Sequence, residues 1–448
     1  MLGVLAILLT LFALMYFAYR GVTVLVLAPL LAMLAALLSA EISPLVALSN
    51  QFMPAAANYI SLYFPVFLAG AIFGKLMGVS GAATAIAHFI ADKFGKARAI
   101  PAIVIATALL TYGGVSLFVV VFAMYPIGAM LLKEAGIPKR LLPAAIALGA
   151  FTFTMTAMPG SPQYINTMPT VFFGTDIYAA PVLGLIGSAI MLSFGLWWLG
   201  RRAKVAVTVG EGYGNHENEG LHELSEDLPS TWMSFLPIVL VFIINFLLTN
   251  WIFKMPGVIE AMGGTINGTW PVIIALALAV VLILFSMKKY IANANKQVFD
   301  GAVGALLPIF NTASEVGYGG VIKGLAAFAT VKAGIVALTI PSLFKVAIST
   351  TLLAGIVGSS SGGTAIALEV LSEDFLAMGI NPQALHRVMI MAAGGLDSLP
   401  HCGAIITLLS VTRLTHKDSY GDIAMMTIVS PMLAVLVAIV FHLVTGIV

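Results

Sequence analysis

Residues 391–409 read MAAGGLDSLPHCGAIITLL. Apolar residues lead into Gly394 and resume at Gly403, and between them stand Gly395, Asp397, Pro400 and His401. A helix interior tolerates paired glycines and a proline poorly. The stretch therefore reads as a helix that stops and restarts. An acid and an imidazole kept at such an interruption, inside an apolar run, mark a polar site.

The chain around this stretch has 448 residues, 60% hydrophobic and 9% charged, with a net charge of +2. Its mean hydropathy is +1.06. That composition excludes an ordinary soluble domain and predicts an all-α polytopic membrane protein in contact with the lipid bilayer. A hydrocarbon core about 30 Å thick takes roughly 20 apolar residues per span. Such runs occur near residues 2–18, 21–40, 62–87, 99–132, 141–158, 181–199, 231–249, 270–287, 303–322, 334–376, 385–412 and 424–447. The opening MLGVLAILLTLFALMYFAYR has neither a basic start nor a small-residue cleavage site, and reads as a first span and not as a removable signal. Basic residues are scattered, which argues against nucleic acid as a partner. Cys402 is the only cysteine, so there is no internal disulfide, and it reads as a small buried apolar residue.

One segment, 205–230, is clearly polar and holds Glu211, Glu217, Glu219, Glu223, Glu226 and Asp227. It reads as a solvated linker. Its His216 and His222 are six apart, whereas an HExxH zinc site needs a spacing of four. The division is a first repeat over 1–200, a cytoplasmic linker over 201–230 and a second repeat over 231–448. LYFPVFLAGAIFGK (62–75) resembles ALLPIFNTASEVGYGG (305–320), and EAGIP (134–138) resembles AMGINP (377–382). Pro65 and Pro308, like Gly136 and Gly379, lie 243 residues apart, so the halves share one plan.

Most Lys and Arg fall on one side of the membrane if 99–132 and 334–376 each enter and leave on the same face, and by the positive-inside rule that side is the cytoplasm. Lys254, Lys323, Lys332, Lys345 and Arg387 remain on the other. Each half then crosses five times, which turns the second half upside down and gives two inverted repeats, with both termini extracytoplasmic. In this reading the 99–132 and 334–376 segments are re-entrant hairpins. Their tips are TYGGVS (Thr111, Tyr112, Gly113, Gly114 and Ser116) and GSSSGGT (Ser359, Ser360, Ser361, Gly362, Gly363 and Thr364). After each comes a broken helix, TAMPGSPQYIN (156–166) and GLDSLPHCG (395–403). Non-helical backbone at membrane depth survives where it lines a cavity or is covered by protein. The four interruptions are expected to converge, their helix ends and hydroxyls facing an anion or a cation.

At these residues the chain resembles the gluconate:proton symporter (GntP) family of the ion-transporter superfamily: FGKLMG, YGGVSLFVVVF, MPGSP and above all GGLDSLPHCGAIITLL carry the likeness. The resemblance implies a symporter for a small organic acid anion, a homodimer in the plasma membrane, no cofactor, and an elevator motion of hairpins and broken helices against a scaffold. It implies a hydroxy-monocarboxylate such as gluconate. The family's sugar-acid members carry an acidic residue at the first tip, where this chain has Gly113 or Gly114, and a Pro- and His-rich break where it has Met158, Pro159, Gly160 and Ser161. A less hydroxylated acid such as 3-hydroxybutyrate suits this less polar pattern.

For coupling, with H+ expected and Na+ the alternative, the candidates are Asp397, His401 and Glu315. Glu315 has no acidic counterpart in the first half, where Ile72 stands; it reads either as a proton relay or as a buried partner for Lys323. For substrate, they are the hydroxyls and glycines of both tips, with Pro159, Gly160, Ser161, Asn166, Ser398 and His401, and Gln163 in support. Glu369, Glu373 and Asp374 read as solvated at the mouth of the second hairpin. A rival reading is an intramembrane serine hydrolase, because Gly358–Gly362 fits G-x-S-x-G with Ser360 as nucleophile and His401 as base.

Overall fold

The computed structural model describes residues 2–20, 22–95, 98–115, 117–216, 228–261, 269–337, 339–400 and 402–448. His401 and Ser116 lie outside the described residues, as do Glu217, Glu219, Glu223, Glu226 and Asp227. Among those described, regular structure is entirely helical.

The first half comprises α1 (Leu2–Tyr19), α2 (Val24–Ser39), α3 (Pro44–Val79, with one π-turn), α4 (Ala82–Phe94), α5 (Ala99–Tyr112), α6 (Leu117–Glu134), α7 (Leu142–Ala150), α8 (Phe153–Thr156), α9 (Tyr164–Phe173) and α10 (Pro181–Thr208). The second comprises α11 (Thr231–Asn250), α12 (Pro256–Ala261), α13 (Trp270–Ser286), α14 (Ala294–Gly304), α15 (Leu306–Gly324), α16 (Ala326–Val336), α17 (Ser342–Val357), α18 (Ser360–Ala377), α19 (Pro382–Ala393), α20 (Gly403–Thr412) and α21 (His416–Thr445, again with a π-turn). Among the described residues, four stretches are long and apolar enough to cross a membrane: Pro44–Val79, Pro181–Thr208, Thr231–Lys254 and His416–Thr445. Several other apolar helices have 10–17 residues, as segments shortened by interruptions must. Leu5, Phe12, Trp232, Phe285 and Val444 project outward from the bundle, a surface suited to hydrocarbon.

The 243-residue offset recurs in the helices. Both ends of α6 and α18 are related by it, and α5 with α17 and α4 with α16 follow closely. Gly136 and Gly379, at φ 65° and 69°, turn the chain just after α6 and α18, in the left-handed region where a side chain is strained. Packing repeats as well: α1 lies on α2 as α11 lies on α13, and α5 packs on α7 as α17 packs on α19. The opening pair of each half sits on the other half's helices. Thus α2 packs on α15 and α1 on α16, while α13 packs on α3 and α11 on α4.

Three expectations change. The predicted span 62–87 is two helices, α3 ending at Val79 and α4 starting at Ala82, because Gly81 at φ 76° turns the chain within an apolar run that hydropathy cannot divide. The polar linker begins later than residue 205, since α10 continues to Thr208. Arg387, expected at an aqueous face, is completely buried. Beyond α10, Glu211 pairs with Arg140 (Oε1 to Nε 2.7 Å), and this guanidinium holds the Glu211 carboxyl below the usual carboxylate range. Arg140 and Arg202 also converge on Asp422 (3.0 and 2.9 Å), which accepts from Trp198 Nε1 as well. This cluster ties α10 and α21 to the turn before α7.

The contact of α5 with α7 depends on Gly149. A Cβ there would collide with Thr107 Oγ1 and the Val104 carbonyl. Gly149→Ala is expected to destabilise the protein by about 1–3 kcal/mol, the usual cost of overpacking. Thermal unfolding of the detergent-solubilised protein checks this as a lowered midpoint.

Candidate functional site

The two arms of the second hairpin meet at Gly358, which ends α17 at φ 70° and donates to the Ala354 carbonyl (2.8 Å). Ser359 then caps α18: its Oγ accepts from the Gly362 N–H (3.2 Å) and lies 3.0 Å from Ser361 Oγ. The arms approach closely because Gly363 faces the Ala354 backbone, where a Cβ would not fit. In the second break, α19 ends at Ala393 and α20 starts at Gly403. Between them Ser398 Oγ donates to Thr427 Oγ1 (2.7 Å) and the Ser398 carbonyl accepts from Tyr420 Oη (3.1 Å), which fastens the irregular backbone to α21.

Tip and break face one cavity of about 720 Å³. Its polar wall includes Ser359, Ser360, Ser361, Asp397, Ser398, Asn311, Thr312, Glu315 and Tyr164, with Thr23 and Thr407; Cys402, buried, also lines it. Leu307, Val357, Met155, Phe151 and Ile406 supply an apolar side. Ser360 stands beside the Asp397 carboxyl and Ser361 beside the Tyr164 hydroxyl. Glu315 is 4% exposed, and its Oε2 has no hydrogen-bond partner among the described residues. This carboxyl occupies the space over Gly362, so a Cβ at that position would collide with it. Asn311 Oδ1 is likewise unpartnered among the described residues. No Lys or Arg lines the cavity among those residues.

The first half contributes differently. Gly114, at φ 91°, lines a smaller cavity of about 120 Å³ that shares Leu117, Tyr164, Gly304 and Pro308 with the larger one. Gly113 is pressed against Ile238 of α11. The Thr111 and Val115 carbonyls accept from Gln163 Nε2 (2.6 and 3.2 Å), and Tyr112 Oη donates to the Pro159 carbonyl (2.7 Å), so the first tip is stitched to the first break. Gly160 packs on Tyr178, and Ser161 Oγ donates to the Thr154 carbonyl (2.6 Å). Asn166 Nδ2 donates to the carbonyls of Ser161 and Ile177, and its Oδ1 accepts from Arg387 (3.1 Å). Arg387 further donates to the Ala179 and Ile177 carbonyls (2.9 and 3.1 Å). In this conformation Thr111, Tyr112, Gly113, Pro159, Gly160, Ser161 and Asn166 line neither cavity, and Gly362, Gly363 and Thr364 lie behind the second tip.

Lys323 does not pair with Glu315. It reaches Glu369 at 3.9 Å, and the Glu369 side chain is only 23% exposed, so Glu369 is half-buried and paired where the sequence reading had it freely solvated. Ser360 opens a helix that follows another helix, and the strand-to-helix elbow of the hydrolase reading is not formed there. Asn311, Thr312 and Tyr164 are cavity residues the sequence reading did not single out. Asn311 and Thr312 were within reach of it, since they stand four and three residues before Glu315 on one helical face.

The chain matches a family model described as GntP family permease over residues 2–396. It is 44% identical to the uncharacterized transporter YxjC of Bacillus subtilis (strain 168), with 99% of each chain covered. It is 26% identical to an uncharacterized transporter of Haemophilus influenzae over 75% of this chain and 74% of that one. Among solved structures it is similar in fold to the Alcanivorax borkumensis YdaH transporter, with a TM-score of 0.58, 15% identity and 87% of each chain covered.

Proposed function

The chain belongs to the GntP permease family, whose members are membrane transporters, and from that premise we propose that it is a proton-coupled symporter for a small hydroxy-monocarboxylate. One observation carries the reading: two acids, Glu315 and Asp397, share a cavity whose described lining holds no Lys or Arg. Two like charges 4 Å apart repel by about 4 kcal/mol at an effective dielectric constant of 20. A carboxylate substrate therefore enters this space only when the acids beside it are neutralised. Proton and anion each favour binding of the other, and that mutual dependence is the basis of symport.

The chemistry of the wall sets the substrate class. Ser359, Ser360, Ser361 and Asn311 offer hydrogen bonds for a carboxylate and a hydroxyl, and the apolar side accepts a short carbon chain. This favours 3-hydroxybutyrate over the heavily hydroxylated gluconate. The hairpins α5–α6 and α17–α18, with the broken helices, form the moving part, and the interlocked α1–α3 and α11–α15 the scaffold of an elevator. A homodimer of inverted repeats in the plasma membrane, termini outward, completes the proposal. Sodium is the alternative ion: the unpartnered oxygens of Glu315 and Asn311 beside the serine hydroxyls form an oxygen-only set that suits a hard cation.

Uptake of radiolabelled 3-hydroxybutyrate, lactate and gluconate into proteoliposomes tests this. An outside-acid pH gradient is expected to drive accumulation of intact 3-hydroxybutyrate in sodium-free buffer. Accumulation that follows sodium at equal pH on both sides overturns proton coupling, and recovery of a cleaved product overturns transport.

A further inference from the structure

We infer that Glu369 is a further proton-carrying carboxyl outside the main cavity, exchanging its proton with Glu315 through a one-water niche between Tyr59 and Tyr63. The inference rests on the proton-symport reading and supplies the route by which the proton reaches or leaves the cavity.

The geometry begins with two helices in register. Glu315 of α15 lies against Gly362 of α18, Gly319 against Ile366, and Lys323 reaches Glu369. The helices therefore run side by side in the same direction. Gly362 and Glu369 lie two turns apart on one face, which sets the two acids about 10 Å apart along the axis. That distance is too long for direct transfer. Alongside it stand Tyr59 and Tyr63, four residues apart on α3, both buried, with ring centroids 4.7 Å apart. Tyr59 stands beside Thr312, one turn from Glu315 and a wall of the main cavity. Tyr63 faces Glu369. Tyr59, Tyr63, Glu369 and Asn58 line a niche of about 10 Å³. That is roughly the space of one water molecule, and polar partners for it are present.

The other groups facing this path do not close it. Tyr63 Oη donates to the Met168 carbonyl (2.8 Å) and Tyr59 Oη to Met168 Sδ (3.9 Å), which leaves each oxygen its lone pairs. Lys323 and Glu373 lie at the outer end beside Glu369, and Tyr164 and Asp397 at the inner end beside Glu315. Transfer runs as follows. Glu369 gives its carboxyl proton to the niche water, the water gives one of its own to Tyr59 Oη, and Tyr59, turning from Met168, gives its hydroxyl proton to the Glu315 carboxylate. One proton moves and only O–H bonds change.

Glu369→Gln is the test, in proteoliposomes with 3-hydroxybutyrate, lactate and gluconate as probes and a pH-sensitive dye inside. Net pH-driven uptake and its accompanying proton influx are expected to fall at least about tenfold, while exchange of labelled for unlabelled acid, which moves no net proton, stays within about twofold. Glu369→Asp should restore part of the net rate. Lys323→Met separates relay from ion pairing, because it removes the pair and leaves the carboxyl. Lys323→Met is expected to keep net uptake, and a loss equal to that of Glu369→Gln overturns the relay. So does unchanged net uptake in Glu369→Gln, or equal loss of net uptake and exchange. If the wild-type protein transports none of the three acids, or ignores pH, the symport reading itself fails. A pH-driven wild type with an indifferent Glu369→Gln sinks only the relay.

Discussion

Asp397→Asn is expected to remove gradient-driven accumulation of the transported acid while leaving exchange measurable. The substitution keeps the size of the side chain and a polar group beside Ser360, so the cavity wall at the second break stays in place. What it removes is the ability to take up and release a proton. An amide beside the substrate resembles the neutralised acid permanently, so the loaded carrier still forms and still moves. The empty carrier, which must shed its proton to return and begin again, no longer can. A coupling free energy of 1–3 kcal/mol corresponds to a factor of about 5–150, and net uptake should fall by that much, with exchange reduced far less. Equal loss of both rates would make Asp397 a binding or folding residue. Unchanged accumulation would leave Glu315 as the sole coupling group of the cavity.

The second large effect concerns stability. Arg387→Met is expected to destabilise the protein by about 3 kcal/mol or more, the sum of acceptors left buried without a donor less the relief of removing a buried charge. The Ala179 carbonyl and Asn166 Oδ1 receive their hydrogen bonds from this one guanidinium, which also joins Asn166 Nδ2 and the Gly160 N–H in donating to the Ile177 carbonyl, in the irregular backbone that surrounds the first break. Methionine fills the volume and satisfies none of them. Lysine brings a single ammonium and does not reproduce the planar fork, so Arg387→Lys should fall close to Arg387→Met and not to the wild type. A melting midpoint in detergent lower by about 3 °C or more is the expected reading for a chain of this size. An unshifted midpoint for Arg387→Met would show that the first break holds its shape without the staple.

The features legible in the sequence are those that local chemistry decides. Gly113 and Gly114, Gly358, and the Gly394–Gly395 pair with Pro400 mark turns and stops whatever surrounds them, and the structure interrupts its helices at each. The 243-residue offset was visible through Pro65 and Gly136 because proline and glycine keep their positions when apolar residues drift. Glu315, Asp397 and the serines of the second tip were candidates on charge and hydroxyl content alone, and the fold brings them to one cavity.

What escaped the sequence depends on partners distant along the chain. Arg387 reads as a loop charge until the Ala179 carbonyl and Asn166 Oδ1 are seen to need it. Glu369 reads as solvated because nothing local shows Tyr63 or Lys323 beside it. The turn at Gly81 hides in an apolar run, since hydropathy measures affinity for lipid and not the direction of the chain. The packing of each half's opening helices on the other half was invisible for a related reason: a helix apolar on every face shows no stripe to say which side meets protein.

That crossed packing bears on how the molecule is made. While α3 and α4 emerge from the ribosome, the helices that cover them, α13 and α11, do not yet exist, and α1 and α2 wait in turn for α15 and α16. The nascent first half must persist in the bilayer with its contact surfaces against lipid until the second has been synthesised. Assembly is therefore a late event, in which the two halves clasp together only once the chain has been translated beyond α16, which ends at Val336.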